Sequence, residues 1–200
     1  MHLDLNFYKN TSISKMSGCN SNDIAFELSL LHTLSGADYS KQVERIAKHK
    51  EFYPLDNESS IFICGGQKSP DFKNLLNAAH KLIERGYVVY ILPNPKGIRT
   101  ADFILESKGI YNVYDLKTIT GKSSVKNRLC ESIGQTNKVI LHMNSKYDAV
   151  LLSTEIRHYF HICPSALEVI VLKGNKIIYI KRNMAFEKNF TPHFRKQYEK

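Results

Sequence analysis

The sequence predicts an α/β fold built on a mixed sheet, and three observations carry that expectation. From residue 60 onward, short runs rich in β-branched and aromatic residues alternate with longer segments of helical period. The connections between them are short and hold glycine and proline. From residue 70 to 143 the order reads helix, strand, strand, strand, helix, strand, and the Ser107-Lys108-Gly109 turn would let two of those strands pair as a hairpin.

Taken in order, the first 60 residues hold two candidate helices. One spans about 22–35, opening at Ser21-Asn22-Asp23 and carrying Ile24, Leu28, Leu31 and Leu34 on one face. The other spans about 39–49, with Tyr39, Val43, Ile46 and Ala47 aligned. Pro54-Leu55-Asp56-Asn57-Glu58 reads as a linker, so residues 1–58 are expected to form a helical extension or cap without chemistry of its own. Residues 59–183 form the α/β domain. Ile61–Cys64 is a buried strand, and Ser69-Pro70-Asp71 gives an N-cap, a first-turn proline and a first-turn acid. The helix that follows aligns Phe72, Leu75, Leu76, Ala79, Leu82 and Ile83 and stops at Gly86. Strands at Tyr87–Leu92, Asp102–Glu106 and Tyr111–Ile119 come next, then a helix over Ser123–Gln135 and a strand at Val139–Met143. A helix over about 147–161 leads to a hairpin, Val169–Leu172 and Lys176–Ile180, closed by Gly174-Asn175. From Lys181 the chain is basic and aromatic, and 184–200 is expected to be a loosely packed tail.

Composition bounds the function. The 200 residues include 28 Lys+Arg and 19 Asp+Glu, a net charge of +9, with 42 % apolar residues. That apolar fraction, with 10 Phe and 11 Tyr, excludes a disordered or collagen-like chain. No run approaches the roughly 18 apolar residues of a membrane span, and no signal peptide is visible, which predicts a cytoplasmic protein or one delivered into the cytoplasm of a target cell. Cys19, Cys64, Cys130 and Cys163 form no CxxC or zinc-finger spacing and read as free thiols. The surplus of Lys and Arg points toward a polyanionic partner, above all nucleic acid.

One cluster carries chemistry. Asp102 opens a strand, and Asp115 and Lys117 share one face of the next, because side chains alternate along a strand. If those two strands pair around Ser107–Gly109, Asp102 can reach Asp115. Two carboxylates side by side repel one another without a cation, and with water and phosphate oxygens they can hold Mg²⁺ or Mn²⁺. The lysine can orient the attacking water or stabilise charge on a phosphate. Asp-x-Lys on a strand is also a common surface salt bridge, so the strand context and the upstream acid are what give the motif weight.

This layout, with Asp102 … Asp115-x-Lys117, resembles the PD-(D/E)XK nuclease superfamily over about residues 70–143. More narrowly, Gly86-Tyr87-Val88-Val89 … Pro95 … Ala101-Asp102-Phe103-Ile104 … Tyr114-Asp115-Leu116-Lys117 … Gln135 is similar to the C-terminal nuclease domains of contact-dependent growth-inhibition proteins, several of which cut tRNA and some DNA. The resemblance implies a restriction-endonuclease-like core, metal binding by Asp102 and Asp115, catalysis by Lys117, and a toxin role with an immunity or inhibitor protein as partner. Ala101 stands where the superfamily usually has proline. Glu84 is the acid within the preceding helix and the candidate third metal ligand.

Around the cluster, Thr118–Ser124 leads into a helix N-terminus with hydroxyls and Lys122, an arrangement that suits phosphate. Arg99, Lys122, Ser123, Ser124, Lys126, Arg128 and Gln135 are therefore the candidate nucleic-acid contacts, with Lys96 adding to a basic rim. Gly121-Lys122-Ser123 lacks the upstream glycine of a P-loop, since position 116 is Leu. His158 and His161 lie three apart on a helix without a carboxylate at ligand spacing and read as structural. Two alternatives remain open: a metal-independent RNase of the barnase–EndoU–RelE type using Lys117, Thr118, Arg128 and His142, or a non-catalytic nucleic-acid-binding domain of a phage or mobile element.

Overall fold

The computed structural model describes residues 23–64, 71–121 and 124–200. Two helices come first, α1 (Ile24–Leu30) and α2 (Gly36–Ala47), followed by β1 (Phe52–Leu55), β2 (Glu58–Cys64) and α3 (Phe72–Ile83). Then come β3 (Val88–Ile91), β4 (Phe103–Ser107), β5 (Ile110–Ile119), α4 (Val125–Glu131) and β6 (Lys138–Met143). The chain ends with α5 (Ala149–Ile162), β7 (Glu168–Lys173), β8 (Lys176–Lys181), α6 (Arg182–Ala185) and α7 (Phe190–Glu199). The eight strands form one mixed sheet in chain order. β2, β3, β5, β6 and β7 run in one direction, and β1, β4 and β8 run against them. The expected α/β class and the order from α3 to β6 are both present.

The register decides what lies on each face. On the back face, α3 buries Leu75, Ala79 and Leu82 against Val89, Leu105, Leu116 and Ile140. On the front face, helices cover the two ends of the sheet separately. α1 and α2 bury Leu28, Val43 and Ile46 against Ala101, Ile104 and Val113. α4, α5 and α7 bury Leu129, Ile156 and Phe194 against Ile119, Val139 and Leu141. Both helical groups reach β5, so the middle of that strand lies in the seam between them.

Three expectations change. The linker at 54–58 is a β-hairpin: Leu55 pairs with Glu58, and Asn57 turns the chain with φ +65°, a conformation asparagine tolerates. Pro54 reads as a strand breaker, but β1 is an edge strand, where a missing N–H is harmless. The helix expected over Ser123–Gln135 is shorter, ending at Glu131, with Gly134 at φ +85° in the turn beyond it. The N-cap signal at Ser69-Pro70 lies outside the described residues.

The third change is the C-terminus, which does not fray. Phe190, Phe194 and Tyr198 recur every fourth residue, make one apolar stripe on α7, and are buried. Lys173 Nζ lies 3.6 Å from the centre of the Tyr198 ring, and Lys173 and Lys176 both donate to the Tyr198 carbonyl at 3.0 and 3.2 Å. Arg157 Nε donates to the Ala185 carbonyl at 2.8 Å. Phe194→Ala is therefore expected to cost about 3–5 kcal/mol of folding free energy. Urea denaturation measures it, and a loss under about 1 kcal/mol, the scale of a surface substitution, would contradict the buried clasp.

Candidate active site

The pairing of β4 with β5 builds the site. Phe103 opposite Tyr114 places Asp102 opposite Asp115. The Asp102 N–H donates to the Tyr114 carbonyl at 3.1 Å, and the Asp102 carbonyl accepts from Leu92 at 2.9 Å, so the residue is held between β3 and β5. Alternation puts Asp102 on the front face with Ile104, and Asp115 and Lys117 on the same face with Val113. The two carboxylates thus converge, as the motif required. Asp102 Oδ2 also accepts the Leu116 N–H at 2.7 Å. Lys117 Nζ lies 2.8 Å from Asp115 Oδ2, with the Asp115 side chain 2 % exposed and that of Lys117 13 %.

The electrostatics are those of a crowded acidic pair. Burial, then the charge of Asp115, push the Asp102 carboxyl up to about 7 from its ordinary value of 3.8. Asp115 is also raised by burial, opposed by Lys117, by a hydrogen bond shared with Asp102, and by Arg99. The crowding of the two acids therefore favours a shared proton in the metal-free protein, lost as the pH rises through neutrality.

Gln135 and Arg99, both expected to contact nucleic acid, sit beside Asp115. With the Gln135 amide turned to satisfy both neighbours, its nitrogen donates to Asp115 Oδ1 at 2.6 Å, and its oxygen accepts from Arg99 Nε at 2.6 Å. Arg99 also donates to the Glu131 carbonyl at the end of α4. The Arg99 carbonyl contacts His32 Nε2 at 2.9 Å, which ties this arm to the turn after α1. No spacing in the sequence links His32 to Arg99; the contact exists only because α1 and α2 pack over β4 and β5.

Other expectations separate from the site. Glu84 caps the C-terminal end of α3 and is exposed. Because α3 covers the back face, Glu84 is on the opposite side of the sheet from Asp115 and is not a third ligand. Glu84→Gln is expected to leave the affinity for Mn²⁺ unchanged in titration calorimetry, and a tenfold loss would reinstate it. Thr118 and His142 are paired neighbours on the back face, where His142 Nε2 lies 3.0 Å from Lys81 Nζ. Lys117, Thr118, Arg128 and His142 therefore do not converge, which removes the acid–base set of the metal-independent alternative. Ser124 caps α4, its hydroxyl accepting from the Asn127 N–H at 3.4 Å. Arg128 pairs with Glu131 at 3.0 Å, and Lys126 is exposed. Lys122 and Ser123 lie outside the described residues.

The donor set discriminates among ions. Among the described residues no group of three or more His, Cys, Asp or Glu side chains converges as a metal site. Zn²⁺, which takes three or four protein ligands, does not fit. Mg²⁺ and Mn²⁺ are hard cations served by carboxylate and water oxygens, and Mg²⁺ in particular is held by one or two carboxylates plus waters and substrate phosphates, which Asp102 and Asp115 can supply. Among the described residues no helix is long and apolar enough to cross a membrane.

The chain matches no protein-family model and no curated protein. Among solved structures it is similar to a chain of the CdiA-CT/CdiI toxin and immunity complex from Burkholderia pseudomallei, at 18 % identity and a TM-score of 0.39, over 60 % of this chain and 98 % of that one.

Proposed function

We propose that the protein is a divalent-metal-dependent nuclease that hydrolyses phosphodiester bonds. The observation that carries this is the convergence of Asp102, Asp115 and Lys117 on one face of the sheet, at opposing and alternate positions of two paired strands. A buried carboxylate pair that favours a shared proton in the absence of a cation is poorly explained as a structural salt bridge. A single acid would have served Lys117; the second accepts the Leu116 N–H, and beside Asp115 it adds a repulsion that a cation would relieve.

Asp102 and Asp115 would hold the ion, and Mg²⁺ or Mn²⁺ when bound would supply Lewis-acid polarisation of a phosphate oxygen and an acidified water. The residues of the chain have separate tasks. Leu116 N–H and Gln135 fix the two carboxylates from either side, so their orientation precedes substrate binding. Lys117 is the amine at the mouth of the seam, placed to orient the attacking water and to stabilise charge that grows on the phosphate. Lys96, in the loop before β4, and Lys126, on α4, are exposed and add to the positive potential of the protein.

The test is incubation of the pure protein with tRNA, plasmid and single-stranded DNA in Mg²⁺, in Mn²⁺ and in EDTA. Cleavage in a divalent ion that EDTA stops, and that Asp115→Asn lacks, is the expected result. Cleavage that survives EDTA, or no cleavage of any substrate, refutes it. A toxin role and an immunity protein as partner rest on the motif's resemblance to growth-inhibition nucleases. They predict growth arrest when the wild-type chain, but not Asp115→Asn, is expressed in bacteria.

A further inference from the structure

The front face carries a second cluster outside the acidic site. Phe62 on β2 and Tyr90 on β3 are register partners, and their rings stack at 5.0 Å with an interplanar angle of 18°. Phe52 on β1 meets Tyr90 edge-on at 5.5 Å, and Tyr111 on β5 lies 6.4 Å from it. All four rings are half-buried. Phe52, Tyr90 and Tyr111 pack against the cluster that holds Val43, Ile46 and Ala47 of α2, and Phe62 lies outside that contact.

Beside the panel the end of α2 is basic. Lys41, Arg45 and Lys48 follow one another at helical spacing, and His49, Lys50 and Glu51 lead into Phe52, with Glu51 3.8 Å from His49. A recess of about 440 Å³ opens among Glu27, Arg45, Lys48, His49 and Lys50, within the range of small-ligand sites. Its single acid, Glu27, is already engaged by Arg45 at 2.7 Å and Gln42 at 2.6 Å. Lys48 pairs with Glu44 at 2.6 Å but remains 63 % exposed. Aromatic faces beside a basic recess are the two components that bind single strands without sequence preference: bases stack on rings, and cations track the backbone.

The panel shares a strand face with the acidic site, with Val113 between them buried under α1 and α2. Tyr111, Val113, Asp115 and Lys117 lie on one face of β5, so Tyr111 is about 13 Å along the strand from Asp115. We infer that the end of α2 and the Phe52–Phe62–Tyr90–Tyr111 panel form a second, non-catalytic contact that holds single-stranded nucleic acid beside the Asp102–Asp115–Lys117 site. The inference rests on the nuclease reading for its ligand class. Lys48, Lys50 and Phe52, within the segment expected to have no chemistry of its own, then contribute to the substrate-binding surface.

The test is fluorescence anisotropy of the full chain in EDTA with labelled oligouridine, oligothymidine and a matched duplex, across a salt series. Lys48→Ala/Lys50→Ala is expected to weaken single-strand binding about tenfold and to reduce the slope of log K against log salt by about 1.4, the contribution of two single-strand phosphates. Phe62→Leu, which keeps apolar volume but removes the stacking face, is expected to weaken single-strand binding about fivefold or more and leave duplex binding and the salt slope unchanged. Both variants should retain wild-type turnover of bis-p-nitrophenyl phosphate, a phosphodiester too small to reach the panel. Thermal melts establish that each variant is folded, and Tyr111→Leu replaces Phe62→Leu if the latter is not. Unchanged single-strand affinity in folded variants of both kinds overturns the second contact while leaving the nuclease reading in place. The expected losses in a protein that cuts nothing under any ion sustain the contact and overturn the nuclease reading. No binding of any strand by the wild type overturns both.

Discussion

Lys117→Met is expected to lower the Mg²⁺-dependent cleavage rate by about 10³-fold while leaving the affinity for the ion intact. The magnitude follows from what a positioned general acid–base or charge-stabilising group contributes, about 10²–10⁴-fold. Methionine keeps the apolar stem that packs along β5 and removes only the amine. Its loss leaves Asp115 still engaged by Gln135 and by the proton it shares with Asp102, so the carboxylate is not stranded without a partner. Removing a positive charge 2.8 Å from Asp115 Oδ2 also lifts a repulsion felt by an incoming cation. Asp115→Asn should behave differently, losing both turnover and ion affinity. Single-turnover kinetics and calorimetric Mn²⁺ titration of the two variants separate these roles. A Lys117→Met enzyme within tenfold of wild type would remove the lysine from the chemistry.

The second large effect concerns pH. Burial and the charge of Asp115 push the Asp102 carboxyl up to about 7 in the folded protein, from its ordinary value of 3.8. Between those values the folded chain binds more protons than the unfolded one, so stability falls as pH rises through that interval. Below about pH 4 both states hold the proton and the full stability is present; above about pH 7 neither does, and on the order of 4 kcal/mol has gone. Metal-free protein in EDTA should therefore be less stable to urea at pH 8 than at pH 5, and Asp102→Asn should remove that difference. Mg²⁺ at about 100 times its dissociation constant should return roughly 2.7 kcal/mol at pH 8 by binding only the folded state. Equal stability of wild type and Asp102→Asn at both pH values would mean that the two acids do not share a proton.

The cluster of Asp102, Asp115 and Lys117 was legible because its geometry is local. Alternation along β5 puts Asp115 and Lys117 on one face whatever the rest of the chain does, and the Ser107–Gly109 turn sets the register that brings in Asp102. Gln135 could be suspected from its place beyond α4, but its contacts with Asp115 and Arg99 were hidden. It approaches Asp115 from a turn rather than a helix, and its oxygen faces Arg99 rather than a phosphate. Glu84 failed for a different reason: a helix shows in its sequence which of its own faces is apolar, but not which face of the sheet will bury it. The buried C-terminal stripe of Phe190, Phe194 and Tyr198 was present in the sequence at a spacing of four, masked by the basic residues between its members.

The sequence by itself determined the α/β class, the order of elements from α3 to β6, and the acidic pair with its lysine, because each follows from periodicities of two and 3.6 residues within short windows. Only the tertiary structure decided that α1 and α2 share the front face with the site, that Arg99 and Gln135 brace Asp115, that Glu84 and His142 lie behind the sheet, and that the aromatic panel stands beside the acids. Those outcomes depend on contacts between residues far apart in the chain. Their energies come from burying one element's apolar face against another, and no local pattern specifies which partner that will be.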